Sequence, residues 1–260
     1  MTLNSYRFTQ AITRKPSASV INGLRAVDTG IPDFDLMCQH HRDYIACLKT
    51  AGATVTELDS TDAFPDACFV EDTTLCLGDI AILMRPGADT RIGEVAEIRP
   101  TLEGKFEQVL ELDSPGNIEG GDILITSKEI LVGRSARTNA AGIAALTKLT
   151  AKFGYPVREV FTPADVLHFK TDCSLLDEET ILATPRLDAT GCFEDYTVIH
   201  TCDGEEACAN SIRYNDLIIM PDGFPKTYQK LKSAGYDVRQ IGNSECAKID
   251  GGMSCLSLRF

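Results

Sequence analysis

The sequence predicts an α/β propeller with pseudo-fivefold repeats, each holding two strands, a helix and a further strand around a central axis. Three observations lead there: β-like segments recur every 40 to 54 residues, a pair of strands follows each, and helix-like stretches ending at glycine precede them. The recurring segments are Ala53–Leu58, Glu107–Leu112, Pro156–Phe161, Tyr196–His200 and Tyr236–Ile241, and their valines, Val55, Val109, Val157, Val198 and Val238, are spaced by 54, 48, 41 and 40 residues.

The strand pairs are expected at Cys68–Asp72 with Ile80–Met84, Asn117–Ile125 with Glu129–Val132, Val166–Leu176 with Thr180–Ala183, and Asn210–Tyr214 with Leu217–Met220. Gly78-Asp79, Ser127-Lys128, Asp177-Glu178 and Asn215-Asp216 supply turn chemistry between these β-branched runs. The fifth unit offers only Gly251–Leu258, so Tyr6–Ala11 from the other end of the chain is expected to complete it and hide a sheet edge. Helices are expected at Asp35–Ala51 and Ala136–Phe153, which carry apolar residues at helical spacing, and at Lys226–Ala234; a glycine follows each. Residues 1–260 read as one domain, and an open α/β sheet with irregular insertions is the competing architecture.

Repeats set around an axis bring equivalent positions together. The first strand of each pair carries, in order, Glu71-Asp72, Glu119-Gly-Gly-Asp122, His168 to Asp172, Asn210-Ser211 and Gly251-Gly-Met-Ser-Cys255. A thiol, an imidazole and carboxylates thus converge, the parts of an activated cysteine nucleophile. Taken singly, Cys255 reads as a core cysteine and His168, between Leu167 and Phe169, as a core histidine; the alignment that joins them reverses both readings. His40, His41 and His200 are expected to be solvated or structural, and four histidines without paired ligand spacing argue against zinc.

Phe64–Asp72 holds three carboxylates, Asp66, Glu71 and Asp72, which would repel one another unless they share a cation. A planar guanidinium would satisfy them. Met84–Arg91 and Gly133–Asn139 offer arginines able to hold a small carboxylate.

The chain carries 25 Lys and Arg against 38 Asp and Glu, a net charge of −13 that disfavours nucleic acid and favours cationic or neutral partners. No apolar run is long enough for a membrane span and the first sixteen residues lack the apolar core of a secretion signal, so a cytoplasmic protein is expected. Ten cysteines without a C-x-x-C pair are expected to be mostly reduced and buried.

Six segments, Phe64–Asp72, Arg85-Pro-Gly87, Asn117–Asp122, Ser135–Asn139, Leu167–Asp172 and Ile249–Cys255, resemble in order those of the dimethylarginine dimethylaminohydrolases. That family belongs to the penteins, the guanidine-modifying superfamily with a five-bladed α/β propeller fold. The resemblance implies Cys255 as nucleophile, His168 as general acid/base and Glu119 as its accompanying acid. It implies that Asp66, Glu71 and Asp72 grip the guanidinium and substrate, that Arg91 and Arg137 bind the amino-acid carboxylate, and that the main chains of Leu24 and Ile249 contact the substrate. Leu24 lies in Ile21-Asn-Gly-Leu24, a segment fit for a lid.

The implied activity is hydrolysis of Nω-methylated arginine to citrulline and methylamine or dimethylamine through a covalent thiouronium, with no metal or organic cofactor. Arginine deimination, citrulline hydrolysis and transfer to an amine are alternatives on the same fold; a non-catalytic guanidinium binder and a Cys/His metal protein lie outside it. The oligomeric state is left open, a homodimer being one option.

Overall fold

The computed structural model describes residues 3–260. Fifteen strands form five three-stranded sheets, each an antiparallel hairpin extended by a parallel strand. Because parallel neighbours require a crossover, a helix or long loop must precede the third strand. In the first sheet β1 (Gln10–Arg14) runs parallel to β2 (Thr54–Leu58), with α1 (Phe34–Thr50) between them. Asp33 caps α1 by accepting from Leu36 N, and Met37, Tyr44, Cys47 and Leu48 bury one face.

The second repeat is β3 (Thr74–Leu77), β4 (Ile80–Leu83), α2 (Glu94–Glu103) and β5 (Gln108–Glu111). The third is β6 (Ile123–Ile125), β7 (Ile130–Arg134), α3 (Ala140–Thr150) and β8 (Val157–Phe161). The fourth has β9 (Cys173–Leu175), β10 (Thr180–Ala183), the single turn α4 (Pro185–Asp188) and β11 (Thr197–His200). The fifth has β12 (Ile212–Tyr214), β13 (Leu217–Pro221), α5 (Pro225–Ser233) and β14 (Asp237–Ile241), followed by the short α6 (Ser244–Ala247). The middle strands are covered on both faces, which is why Ile80–Leu83, Ile181–Ala183 and Leu217–Met220 read as continuous apolar runs.

β15 (Leu258–Arg259) closes the ring by pairing antiparallel with β1, Ala11 opposite Arg259 and Ile12 opposite Leu258. Closure was expected at Tyr6–Ala11, but the strand begins at Gln10. The preceding residues are diverted to the β12–β13 turn, where Asn215 N donates to Tyr6 O at 2.7 Å and the Asn215 side chain bonds both Phe8 N and Phe8 O at 3.0 Å.

The hairpins start later than the sequence predicts. Near the axis each chain makes a 3₁₀ turn instead of a strand: Val70–Thr73, Gly120–Asp122, Phe169–Thr171, Glu206–Ala209 and Ser254–Leu256. Extended backbone there would leave its acids without donors. In the turns, Asp72 Oδ1 accepts from Gly121 N at 2.8 Å, Asp122 Oδ1 from Phe169 N at 2.8 Å, and Asn210 Oδ1 from Ser254 N at 2.9 Å. Neighbouring turns approach so closely that a Cβ on Gly120 would lie 1.9 Å from Glu71 O, and one on Gly252 2.2 Å from the Asn210 side chain.

The helix α2 was not anticipated because Pro100 interrupts its pattern. Helix α3 starts at Ala140 rather than Ala136 because Asn139 caps it, accepting from Gly142 N at 3.0 Å. All ten cysteines are free thiols, seven of them buried. No described helix is long and apolar enough to cross a membrane.

Candidate active site

The axial turns form a floor with a cavity on either side. One cavity is lined by Leu24, Asp66, Asp72, Arg91, Arg137, His168, Ile249 and Cys255, which brings together eight of the ten residues singled out in the sequence. A ninth, Glu119, reaches it through His168: Glu119 Oε2 is 2.5 Å from His168 Nε2, both side chains being buried. Gly87 N donates to the other Glu119 oxygen at 2.7 Å, and Arg137 Nη1 stands 3.6 Å from it.

The tenth residue, Glu71, does not join this cavity. Consecutive residues of a tight turn face opposite sides, and Glu71 faces the second cavity, where Oε1 accepts from Lys170 Nζ at 2.5 Å and Arg259 Nη2 at 2.8 Å. The resemblance implied a place at the guanidinium, whereas here its carboxylate has two cations on the far side.

Burial would drive a proton off His168, but Asp72, Asp122 and Glu119 outweigh it and hold the imidazole up at about 9. Glu119, despite its own burial, is pulled down to about 2 by His168, Arg91 and Arg137. The pair is an imidazolium and a carboxylate at neutral pH. Cys255 goes the other way: burial, then Glu71 and Asp72, push its thiol up to about 12. Gly252 N, 3.4 Å from the sulfur, opposes this. The sulfur at rest is a neutral thiol.

Asp72 has both oxygens engaged, one by Gly121 N and the other by Arg91 Nη1 at 2.5 Å. Arg91 is 4% exposed and donates also to Glu94 through Nε and Nη2 and to Phe69 O at 2.9 Å. Nearly all its donors are taken inside the protein. Arg137 is different, with its 3.6 Å approach to Glu119 as its only ion pair among the described residues. One atom each of Asp72, Glu119 and His168 lie within 4.8 Å of one another, close enough for a cation, but Arg91 and the imidazolium already balance these carboxylates.

Leu24 lines the cavity, and its segment is held at two points. Leu24 N donates to Asp66 Oδ1 at 3.0 Å, and Ala26 N to Asp250 Oδ2 at 2.6 Å. Burial raises the Asp66 carboxyl above its usual range. The cavity is partly open at its mouth and offers ≈ 30 Å³, room for about two waters, and displacement of Leu24 would widen it.

Sequence reasoning passed over Phe69, Leu167, Asp250 and Gly251, which also line the cavity, although each lies in a quoted motif. It also passed over Glu94, whose signal was its three-residue spacing from Arg91. His200 pairs with Asp188 at 2.7 Å and His41 is buried in α1, both away from this cavity.

A family model described as RNA-editing substrate-binding complex 5 protein matches residues 8–171, which include Glu119 and His168 and stop short of Cys255. Relatives that match over the full length carry another name. The chain is 37% identical to N(G),N(G)-dimethylarginine dimethylaminohydrolase of Pseudomonas aeruginosa, covering 97% of this chain and 100% of that one. It is 30% identical to the enzyme of that name from Streptomyces coelicolor, covering 96% of each. The structure of a cysteine-to-serine mutant of the Pseudomonas aeruginosa enzyme complexed with citrulline superposes with a TM-score of 0.95 at 36% identity, over 98% of this chain and 100% of that one. The five sheets closed in a ring, the cavity at their axis and this full-length identity agree: the chain belongs to the dimethylarginine dimethylaminohydrolase family of the pentein superfamily.

Proposed function

We propose that the protein hydrolyses Nω-methylated arginine, asymmetric dimethylarginine and monomethylarginine, to citrulline and dimethylamine or methylamine. The observation that carries this reading is a single cavity lined by a thiol, an imidazole paired with a carboxylate, two further carboxylates and an arginine with donors to spare. Residues 1–260 are read as one catalytic domain.

A guanidinium carbon is a poor electrophile because resonance spreads its charge. Asp66 and Asp72 would fix the cation in one plane, Arg137 would take the carboxylate at the other end of the substrate, and the main chains of Leu24 and Ile249 would flank it. Arg91 supports this arrangement by holding Asp72. The arriving cation favours loss of the Cys255 proton to solvent water, and the thiolate attacks the guanidinium carbon. The His168 imidazolium then gives its proton to the departing amine as the C–N bond breaks. The neutral imidazole takes a proton from water, whose oxygen attacks the thiouronium carbon; the C–S bond breaks and citrulline leaves. Glu119 orients the imidazole throughout. No step calls for a metal or organic cofactor.

The partner is taken to be a cationic small molecule, in keeping with the net charge of −13, which also disfavours the RNA association in the name of the matched family model. A cytoplasmic location and a homodimer belong to this reading as proposals. The test is citrulline release from arginine, monomethylarginine and asymmetric dimethylarginine, with Cys255→Ser as control. Turnover of the methylated substrates, abolished in the variant, is expected; turnover of arginine alone would make the protein a deiminase.

A further inference from the structure

The floor beneath Cys255 is one residue thick. Asp72 and Cys255 face the substrate cavity, whereas their chain neighbours Glu71 and Ser254, with Lys170, Ser174, Ser257 and Arg259, line the cavity behind it. That second cavity, partly open, offers ≈ 90 Å³, room for several waters. Glu71 is 4% exposed and its Oε2 has no partner; the Ser174 hydroxyl, equally buried, has none either. Arg259 is tied to its own segment through Ser254 O, Ser257 O and Ser257 Oγ at 3.0 to 3.1 Å. Lys170 makes one side-chain hydrogen bond, to Glu71.

We propose that Lys170 and Glu71, behind the floor, are positioning residues that set the balance between thiol and thiolate at Cys255. The inference rests on the reading of Cys255 as the nucleophile and deepens it.

The charges around the sulfur fall into two groups. In front, Asp72 is answered by Arg91 and Glu119 by the His168 imidazolium, while Asp66, Arg137 and Asp250 line the cavity further out. The neighbouring Cys246 thiol is pushed up to about 12 by burial and stays neutral. Behind, one carboxylate meets two cations, and neither Glu71 nor Lys170 lines the front cavity. Of the groups acting on the thiol, Glu71 is the leading charge against ionisation and Lys170 acts for it. Both side chains are more than nine-tenths buried, so each exerts its charge across the floor with less screening than a surface group would have. Packing alone would be served as well or better by apolar side chains, since a buried ion pair is a poor source of stability.

The test is the rate at which iodoacetamide alkylates Cys255 in the substrate-free protein at pH 8.5, read by mass spectrometry of the peptide that contains it. Below the thiol midpoint this rate follows the thiolate fraction, so one unit of midpoint shift is about tenfold in rate. Lys170→Met should slow alkylation about tenfold, Glu71→Gln should speed it about tenfold, and Lys170→Arg should stay within about twofold of wild type. Opposite shifts from two near-isosteric changes are the signature; shifts of the same sign, or none beyond about twofold, overturn the proposal. If Lys170→Met does not fold, the sign of the Glu71→Gln effect decides alone. Citrulline assays run in parallel separate the two claims, because a wild-type protein without turnover rejects the hydrolase reading whatever the alkylation rates show.

Discussion

Glu119 Oε2 lies 2.5 Å from His168 Nε2, and against the opposing effect of burial Asp72, Asp122 and this contact hold the imidazole as a cation up to about 9. The folded state binds this proton more tightly than the unfolded one, so the stability it contributes is complete below about 6.5 and lost as pH rises through 9. For Glu119 the sign is reversed, with stability present above about 4.5 and lost as pH falls through 2. Replacing Glu119 by Gln should lower the His168 titration, followed by NMR, and move the alkaline limb of the kcat profile to lower pH. Replacing His168 by Gln should cut kcat by about 10²- to 10⁴-fold.

Arg91 and Arg137 share a cavity but not a role. Arg91→Gln leaves the buried carboxylates of Asp72 and Glu94 without their cation, and unfolding in urea should show a loss of about 3–5 kcal/mol. Arg137→Gln breaks no short ion pair, so stability should hold to within about 0.5 kcal/mol. Its expected cost is a KM raised about 10- to 100-fold with kcat little changed, the pattern of lost uniform binding.

Asp250 has a φ of +59°, a left-handed conformation that asparagine and glycine adopt more easily than most residues, and its carboxylate holds Ala26 N. Asp250→Gly should relieve the backbone while removing this hold on the lid. Hydrogen exchange at Ala26 and Leu24 should accelerate with the melting temperature nearly unchanged, and a variant in which those amides stay protected would show that Asp66 alone suffices.

His41 is 2% exposed in α1, its Nε2 lacks a partner, and burial, aided by Arg42, lowers its titration to about 4. The unfolded chain binds this proton near 6.5, so stability falls with pH below about 6.5, by about 2 kcal/mol between pH 7 and 5. Urea midpoints at the two pH values should diverge in the wild type and converge in His41→Leu.

The third strand of every repeat was legible in the sequence because period-two patterning is local: Ala53–Leu58 was expected where Thr54–Leu58 forms, and Tyr236–Ile241 where Asp237–Ile241 forms. The convergence of Cys255, His168 and Asp72 was also legible, because equivalent positions of a closed ring meet at its axis. Less visible were features that depend on which way one side chain turns. Glu71 and Asp72 are neighbours of like chemistry, and only the 3₁₀ geometry of Val70–Thr73, with Lys170 and Arg259 behind it, separates their destinations. Likewise, nothing in the spacing of Arg91 and Arg137 reveals that the first is spent on Asp72 and Glu94.

The pairing of β15 with β1 places the sulfur three residues from the seam where the ring is fastened. Peeling Leu258 and Arg259 away from Ala11 and Ile12 would drag the reactive group out of register and strip Glu71 of one counterion in the same motion. Loss of chemistry should then coincide with unfastening of the ring rather than precede it. A fragment cut just before Gly251 would keep four complete sheets and have no reagent to present.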